Sequence, residues 1–425
     1  MNKHDSERIA GILQNNGFQY ESNTLDTDII IFNTCTVRKS ADDRLFGQLG
    51  NIKRLKEEKP NLIVAVGGCL AQNYGKELLL RFPHVDIVFG THNIERFPYF
   101  LKERISTFNR VFELKDEDLY DISCLPALRE TTFSAWVSIM RGCNNFCTYC
   151  IVPFVRGRQW SRQSYEIISE AKNLVSYGVK EITLLGQNVN SYGKGVKQEL
   201  NFPKLLKRLS QISGLKRIRF LTSHPKDLDS ETIKTVAESE ILCNHFHLPL
   251  QSGSNKVLKD MSRKYTKEKY LKLIKEIYYM IPDVSITTDI MVGFPTETEE
   301  DFLETLDVVE KVKFDNAFTF IYSPRLKTEA IKFNDISSHK EKMNRFNRLV
   351  DKQTIISQMK NNNLIGKSFN VLIEDFSKKD RNMLTGRTKT NKIVNFIGDS
   401  NLIGKIVDLD IISARAHYLE GKIKD

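Results

Sequence analysis

Apolar and polar positions fall into blocks whose period changes twice along the chain. Residues 1–90 alternate helical and strand patterns. Asp5 is a fitting N-cap for a helix running to about Gln14, which Gly17 ends. Ile29 to Phe32 is a continuous apolar run, the pattern of a strand buried on both faces. A helix follows from about Arg38 to Lys56, then a strand Leu62–Val66, a helix Gln72–Arg81 and a strand Val85–Phe89. This predicts a doubly wound α/β domain over about residues 1–105. Residues 91–130 read as a connector, sequence 106–130 lying between domains, with a charged run Lys115–Asp118 and a lone Cys124.

From Phe133 the alternation resumes. Candidate strands are Trp136–Met140, Glu181–Leu185, Arg217–Leu221, His245–Leu248, Val284–Met291 and Asn316–Ile321, with amphipathic helices such as Tyr165–Tyr177, Thr266–Met280 and Glu299–Val312 between them. Repeated βα units predict a parallel sheet curled into a partial or full (β/α) barrel over 131–360, with functional residues just past the strand ends. After a polar helix (His339–Asn361) the period shortens. Phe369–Ile373, Asn382–Arg387, Ile393–Phe396 and Ile406–Ile412, punctuated by Gly386, Gly398, Gly404 and Gly421, predict a small antiparallel β-barrel over 361–425.

Cysteine spacing carries the chemistry. Cys143, Cys147 and Cys150 form CxxxCxxC, with the next cysteine more than ninety residues on. A closed zinc site takes four ligands, and a ferredoxin-type cluster takes four thiolates. Three thiolates on one loop would leave one iron of a 4Fe-4S cluster open to a substrate. Zinc stays open as an alternative, with a fourth ligand reaching in from afar, His84 or His92. Cys35 and Cys69 each fall just past the carboxyl end of a predicted strand, where doubly wound sheets bind ligands. They make a candidate second metal site, against the reading of two small buried residues at tight turns. A doubly wound domain should open with a strand, yet this chain opens just before a helix. The expectation is a domain lacking its first strand and, with it, a third cysteine immediately before Met1.

Charge adds a polyanionic partner. Lys and Arg number 63 against 53 Asp and Glu, a formal +10, and no acid falls between Arg141 and Arg162. There Arg156, Arg158 and Arg162 interleave with Phe146, Tyr149, Phe154 and Trp160, a mixture suited to phosphates and unstacked bases. No apolar run is long enough to span a membrane, and the chain reads as cytoplasmic and reducing, without disulfides.

Over essentially its whole length the chain resembles the methylthiotransferase branch of the radical S-adenosylmethionine enzymes. The carrying motifs are NTCTVR (33–38), VGGCLAQ (66–72), VDIVFGTHN (85–93), RGCNNFCTYCIVPFVRG (141–157), LLGQNVNSYG (184–193), TSHP (222–225), HLPLQSGS (247–254), DIMVGFPTET (289–298) and GRTKTNKIVNF (386–396). The triad marks the superfamily, NTC and GGC narrow it to methylthiotransferases, and the terminal GRT…VNF motif with the form of the triad segment favours the branch acting on isopentenylated adenosine over relatives that modify a ribosomal protein or threonylcarbamoyladenosine. The family pattern places an auxiliary cysteine just before Met1-Asn2.

The resemblance implies two 4Fe-4S clusters, one on Cys143, Cys147 and Cys150 and an auxiliary one on Cys35, Cys69 and that upstream cysteine. It implies S-adenosylmethionine as cofactor, with Asn188 and Ser252 beside it, and Arg156 and Arg158 on the RNA backbone. The implied reaction is radical sulfur insertion and methylation at carbon 2 of N6-isopentenyladenosine, 3′ to the anticodon of tRNA. An external electron donor is implied, the chain acting as a monomer away from membranes. Alternatives are a methylthiotransferase acting on threonylcarbamoyladenosine or a ribosomal protein, a zinc-stabilised RNA-binding protein, and an iron–sulfur electron carrier.

Overall fold

The computed structural model describes residues 1–114, 125–197 and 199–424. The chain divides into two compact units. The first joins Met1–Thr131, Met140–Arg162 and Arg325–Thr328. Its centre is a four-stranded sheet, in the order Ile29–Asn33, Ile63–Gly67, Ile87–Phe89 and Val111–Glu113, every pairing parallel. Period-2 alternation sorts the central strand between two cores. Ile63 and Ala65 pack with Ile9, Ile12, Phe97 and Phe100 on one face, and Val64 and Val66 with Leu45, Leu49 and Leu70 on the other.

Three details differ from the pattern reading, the first being that the opening helix is Asn2–Asn15, so that Asp5 lies inside it rather than capping it. The helix expected over Gln72–Arg81 is two helices, Gly68–Tyr74 and Glu77–Arg81, interrupted at Gly75, whose φ of +58° leaves the helical region. The stretch read as connector from residue 91 holds a helix, Phe97–Thr107, started by a proline in its first turn, and the fourth strand of the sheet, Val111–Glu113. The run Lys115–Asp118 and Cys124 lie outside the described residues.

The second unit joins Thr132–Ile139, Gln163–Pro324 and Glu329–Asp425. Six parallel strands run as two arcs: Ser134–Ser138, Glu181–Leu185 and Arg217–Phe220, then His245–His247, Ser285–Val292 and Asn316–Ile321. A parallel bridge between Ile218 and Leu242 links the arcs. Side-chain caps fix where the intervening helices begin. Asp229, Ser254 and Thr266 each accept a backbone N–H of the first turn, and Thr298 with Asp301 closes a capping box.

The last strands close a barrel in the order 368–376, 384–388, 393–396, 419–423, 406–414. The pattern reading lacked Leu419–Ile423, which runs parallel to Ile393–Phe396 and inserts only Leu419 and Gly421 into the interior. Two buried arginines of one barrel strand seat this domain. Arg217 donates to the carbonyls of Arg387 and Asn370, each at 2.7 Å, and Arg219 to that of Thr388 at 2.6 Å. Glu181 supplies the counter-charge, 3.0 Å from Arg219.

Candidate active site

The triad loop belongs to the first unit. Met140–Arg141 pairs antiparallel with Trp160–Ser161 and closes the neck of the loop. Inside it, the Cys143 N–H donates to the Gly157 carbonyl at 3.2 Å, Cys150 N–H to the Cys147 carbonyl at 2.9 Å, and Gln159 N–H to Asn144 Oδ1 at 3.1 Å. Gly142 makes this closure possible. Its φ is +69°, and a Cβ there would stand 1.9 Å from the Arg158 carbonyl oxygen. Cys147 is buried, Cys143 and Cys150 half-buried. Among the described residues no three His, Cys, Asp or Glu side chains stand at metal-ligating spacing. The fit therefore rests on the donor set, three thiols with no intervening carboxylate on one pinched loop, which suits iron–sulfur ligation.

Cys35 and Cys69 lie past the carboxyl ends of two adjacent parallel strands. The Thr34 N–H donates to the Gly67 carbonyl, and Leu70 N–H to the Thr34 carbonyl at 3.1 Å, so the two cysteine loops are laced together. Gly68, at φ +84°, allows the approach, since a Cβ would come 2.3 Å from Asn33 Oδ1. Burial pushes the Cys35 thiol up, and the nearby Cys69 sulfur adds to the shift. Cys69 packs against Ile151 and Val155, just beyond the triad. A third arrangement steadies the Cys35 side. Asp42 accepts from Thr36 Oγ1 at 2.9 Å and Tyr74 OH at 3.2 Å, and pairs with Arg325.

Arg156, expected on the RNA backbone, is instead buried at 5 % exposure. Its Nη2 lies 2.6 Å from Asp5 Oδ2, and its Nε donates to Cys69 Sγ at 3.1 Å. Burial opposes its charge, but Asp5 and Cys69 outweigh it and hold the guanidinium ionised. Burial likewise works against the Asp5 carboxylate, and Arg156 holds it well below the usual range. Nothing in the sequence separated Arg156 from Arg158, because both sit in a basic loop and the partner Asp5 is 151 residues away.

Arg158 is exposed and stands over the Phe146 ring at 4.3 Å. Arg141 stands over Trp160 at 4.5 Å, its own pKa lowered to about 10 by burial, with Glu95 opposing. Phe146 and Trp160 are each 39 % exposed. Phe146 has a left-handed φ of +49°, uncommon for an aromatic residue. Each pair sets a guanidinium against a partly exposed aromatic ring.

In the second unit, buried polar atoms without protein partners gather past four strand ends. They are Gln187 Oε1, Asn188 Oδ1, both amide atoms of Asn190, Ser223 Oγ, Gln251 Oε1 and Tyr322 OH. The Asn188 Nδ2 donates to Asp227 Oδ2 at 2.7 Å, which fixes the amide and leaves its oxygen for a ligand. Thr222 and Gln251 hold left-handed φ values of +66° and +67° at the same end. Unsatisfied buried polar groups are costly, and this set fits a polar cofactor such as S-adenosylmethionine. His224, nearby in sequence, is pushed down to about 2, first by burial and then by Arg263, and stays neutral, its Nδ1 accepting from Lys226 N–H. Ser252 lies at the same strand ends, inside its own loop. It is fully buried and bonded to Thr305 Oγ1 at 3.4 Å and to Ser254 N–H at 3.2 Å, so it shapes its loop.

A three-cysteine loop in the first unit, and parallel βα strands with a terminal β-barrel in the second, are the parts of a radical S-adenosylmethionine protein. Models of the radical SAM superfamily match residues 137–309, the uncharacterized protein family UPF0004 residues 1–90, and the TRAM domain residues 363–424. The tRNA-2-methylthio-N(6)-dimethylallyladenosine synthase of Thermoanaerobacter pseudethanolicus is 49 % identical over 425 residues, covering 100 % of this chain and 90 % of that protein. The enzyme of the same name from Clostridium perfringens is 49 % identical, over 100 % of this chain and 95 % of its own. The chain belongs to the family of tRNA-2-methylthio-N(6)-dimethylallyladenosine synthases. Among solved structures, the Kitasatospora setae radical S-adenosylmethionine methyltransferase TsrM, with cobalamin and a 4Fe-4S cluster bound, shares the fold. Its TM-score is 0.55 at 14 % identity, over 76 % of this chain and 73 % of that one. The cobalamin-dependent radical enzyme OxsB gives 0.52 at 12 % identity, over 83 % and 53 %.

Proposed function

We propose that this chain is a tRNA methylthiotransferase that inserts sulfur and a methyl group at carbon 2 of N6-dimethylallyl (isopentenyl) adenosine, 3′ to the anticodon. The observation that carries this is 49 % identity along the full chain to enzymes of that name. The three-thiol loop and the laced Cys35–Cys69 pair support it. When bound, an iron–sulfur cluster and S-adenosylmethionine supply the electron and the radical that an unreactive aromatic C–H bond requires.

The chain's own residues bind, orient and exclude water. Cys143, Cys147 and Cys150 hold the cluster, with Gly142 allowing the loop to close. Asn188, aimed by Asp227, offers its Oδ1 to S-adenosylmethionine, and the other orphaned polar atoms at the strand ends complete the cradle. Cys35 and Cys69 would supply two of the thiolates of an auxiliary iron–sulfur cluster, which would be the source of the inserted sulfur. Arg158 with Phe146, and Arg141 with Trp160, grip an unstacked anticodon-loop base, a mode RNA loops favour, while the terminal barrel adds RNA affinity. An external electron donor completes the cycle. No helix among the described residues is long and apolar enough to cross a membrane.

Nucleoside mass spectrometry tests this, after anaerobic reaction with anticodon stem-loops carrying isopentenyladenosine, threonylcarbamoyladenosine or plain adenosine. The expected product is methylthiolated isopentenyladenosine alone. Product only on threonylcarbamoyladenosine would move the chain to another branch.

A further inference from the structure

We propose that Asp289 and Phe318, side by side inside the partial barrel, select the N6 substituent of the adenine. Phe318 carries the prenyl group, and Asp289 accepts the N6–H and repels acidic substituents. The proposal rests on the reading of isopentenylated adenosine as the substrate.

Strand alternation settles which side chains face the lumen. Phe246 packs against Phe220, and Phe220 against Phe202 of the helix Phe202–Ser210, so Phe246 faces the helical layer. His245 and His247 therefore face the other way, into the lumen. There His247 Nε2 lies 3.3 Å from Asp289 Oδ2, and its ring meets that of Phe318 edge to face, centroids 5.9 Å apart. Asp289 and Phe318 are register partners on adjacent parallel strands, and Met291 with Phe320 continues the same wall two residues on.

The carboxylate is held from behind. Thr287 Oγ1 lies 2.9 Å from His245 Nε2 and 3.0 Å from His247 Nδ1. With the Thr287 hydroxyl donating to Nδ1, the His247 imidazole keeps its proton on Nε2 and donates it to Asp289 Oδ2. Asp289 Oδ1 accepts from no described residue. The wall is open to a ligand, with Phe318 45 % exposed and the Asp289 side chain 25 %. Asn316–Ile321 ends its arc, pairing only with Ser285–Val292 among the described residues. A pinned carboxylate beside an aromatic face matches an N6-prenylated adenine, whose one nitrogen presents both an N–H and an apolar chain. A threonylcarbamoyl group ends in its own carboxylate, and like charges brought together are a means of rejection.

The test measures binding by the full chain, so it needs no turnover. Fluorescein-labelled anticodon stem-loops carrying isopentenyladenosine, threonylcarbamoyladenosine or adenosine at one position are titrated by anisotropy at fixed salt. Ratios between loops cancel the phosphate contacts common to all three. The parent should bind the isopentenyl loop about tenfold tighter than either other loop. F318A should lose most of the preference over adenosine, and F318L should recover part of it. D289N should gain about fivefold on the threonylcarbamoyl loop and keep its preference for isopentenyl over adenosine. Unmoved ratios in F318A and D289N, with the parent still preferring isopentenyl, would overturn the proposal and leave the methylthiotransferase reading intact. Affinities lowered alike for all three loops would also overturn it, as the mark of a fold contact only. A parent that binds the three loops alike would overturn it as well. A parent that prefers the threonylcarbamoyl loop would overturn the substrate reading and the proposal with it.

Discussion

Replacing Arg219 by methionine should unseat the terminal barrel, and its size can be worked from the contacts. Arg219 is 4 % exposed and makes hydrogen bonds to the Thr388 carbonyl at 2.6 Å, the Lys389 carbonyl at 3.2 Å and Glu181 Oε1 at 3.0 Å. Methionine fills much of the volume but donates nothing. Two barrel carbonyls lose their donor, and Glu181 keeps only Arg217, 3.8 Å away, as counter-charge. Breaking a buried pair from one side costs roughly 3–5 kcal/mol, most of it the stranded charge. Hydrogen-exchange mass spectrometry of the full chain reads this as opening of the barrel strands. Protection over residues 368–396 should fall by about two orders of magnitude or more, since each 1.4 kcal/mol is tenfold, with the parallel strands of the same unit little changed. Glu181→Gln added to Arg219→Met should recover part of the loss, because the stranded charge is gone. Protection within threefold of the parent, or strict additivity in the double variant, would refute the reasoning.

Gly142→Ala should stop the triad loop closing, since the new methyl would stand 1.9 Å from a carbonyl oxygen at a left-handed φ; reconstituted iron content should drop by about half while the melting midpoint moves little. Glu297 is fully buried, and burial raises its carboxyl to about 7, against the Gly293 N–H and Arg345, which lower it. A raised folded pKa gives stability that is full below about pH 4.5 and lost as pH rises through 7. Against Glu297→Gln, the parent should therefore weaken by roughly 3 kcal/mol across that window, and parallel pH profiles in denaturant would refute this. Arg158→Glu should weaken tRNA binding and flatten its salt dependence by about one charge, and unchanged affinity would leave Arg158 a surface charge.

Period located most strands of both α/β regions to within a few residues: those of the first unit read as near-continuous apolar runs, those of the second as βα alternation around strands that include polar residues such as Arg217 and Arg219. It failed where tertiary partners decide. Val111–Glu113 is only three residues long and becomes a strand by adding to an existing sheet edge, which no local pattern encodes. Leu419–Ile423 was missed because a charged, glycine-containing segment becomes a barrel strand only by pairing with Ile393–Phe396. The site behaved alike. Cysteine spacing is local, so the triad and the two strand-end cysteines were visible at once. Arg156 was misread because its burial and its long-range partner Asp5 exist only in the fold. The orphaned atoms of Asn190 and Tyr322 were missed for the same reason.

The central claim, radical chemistry at carbon 2 of the isopentenylated adenine, has a direct test. An anticodon stem-loop deuterated at that carbon is turned over anaerobically by the reconstituted chain with S-adenosylmethionine and a chemical reductant. One deuterium in the 5′-deoxyadenosine formed, in step with methylthiolated RNA, is the predicted result. Deoxyadenosine without deuterium beside labelled, unmodified RNA would contradict the account.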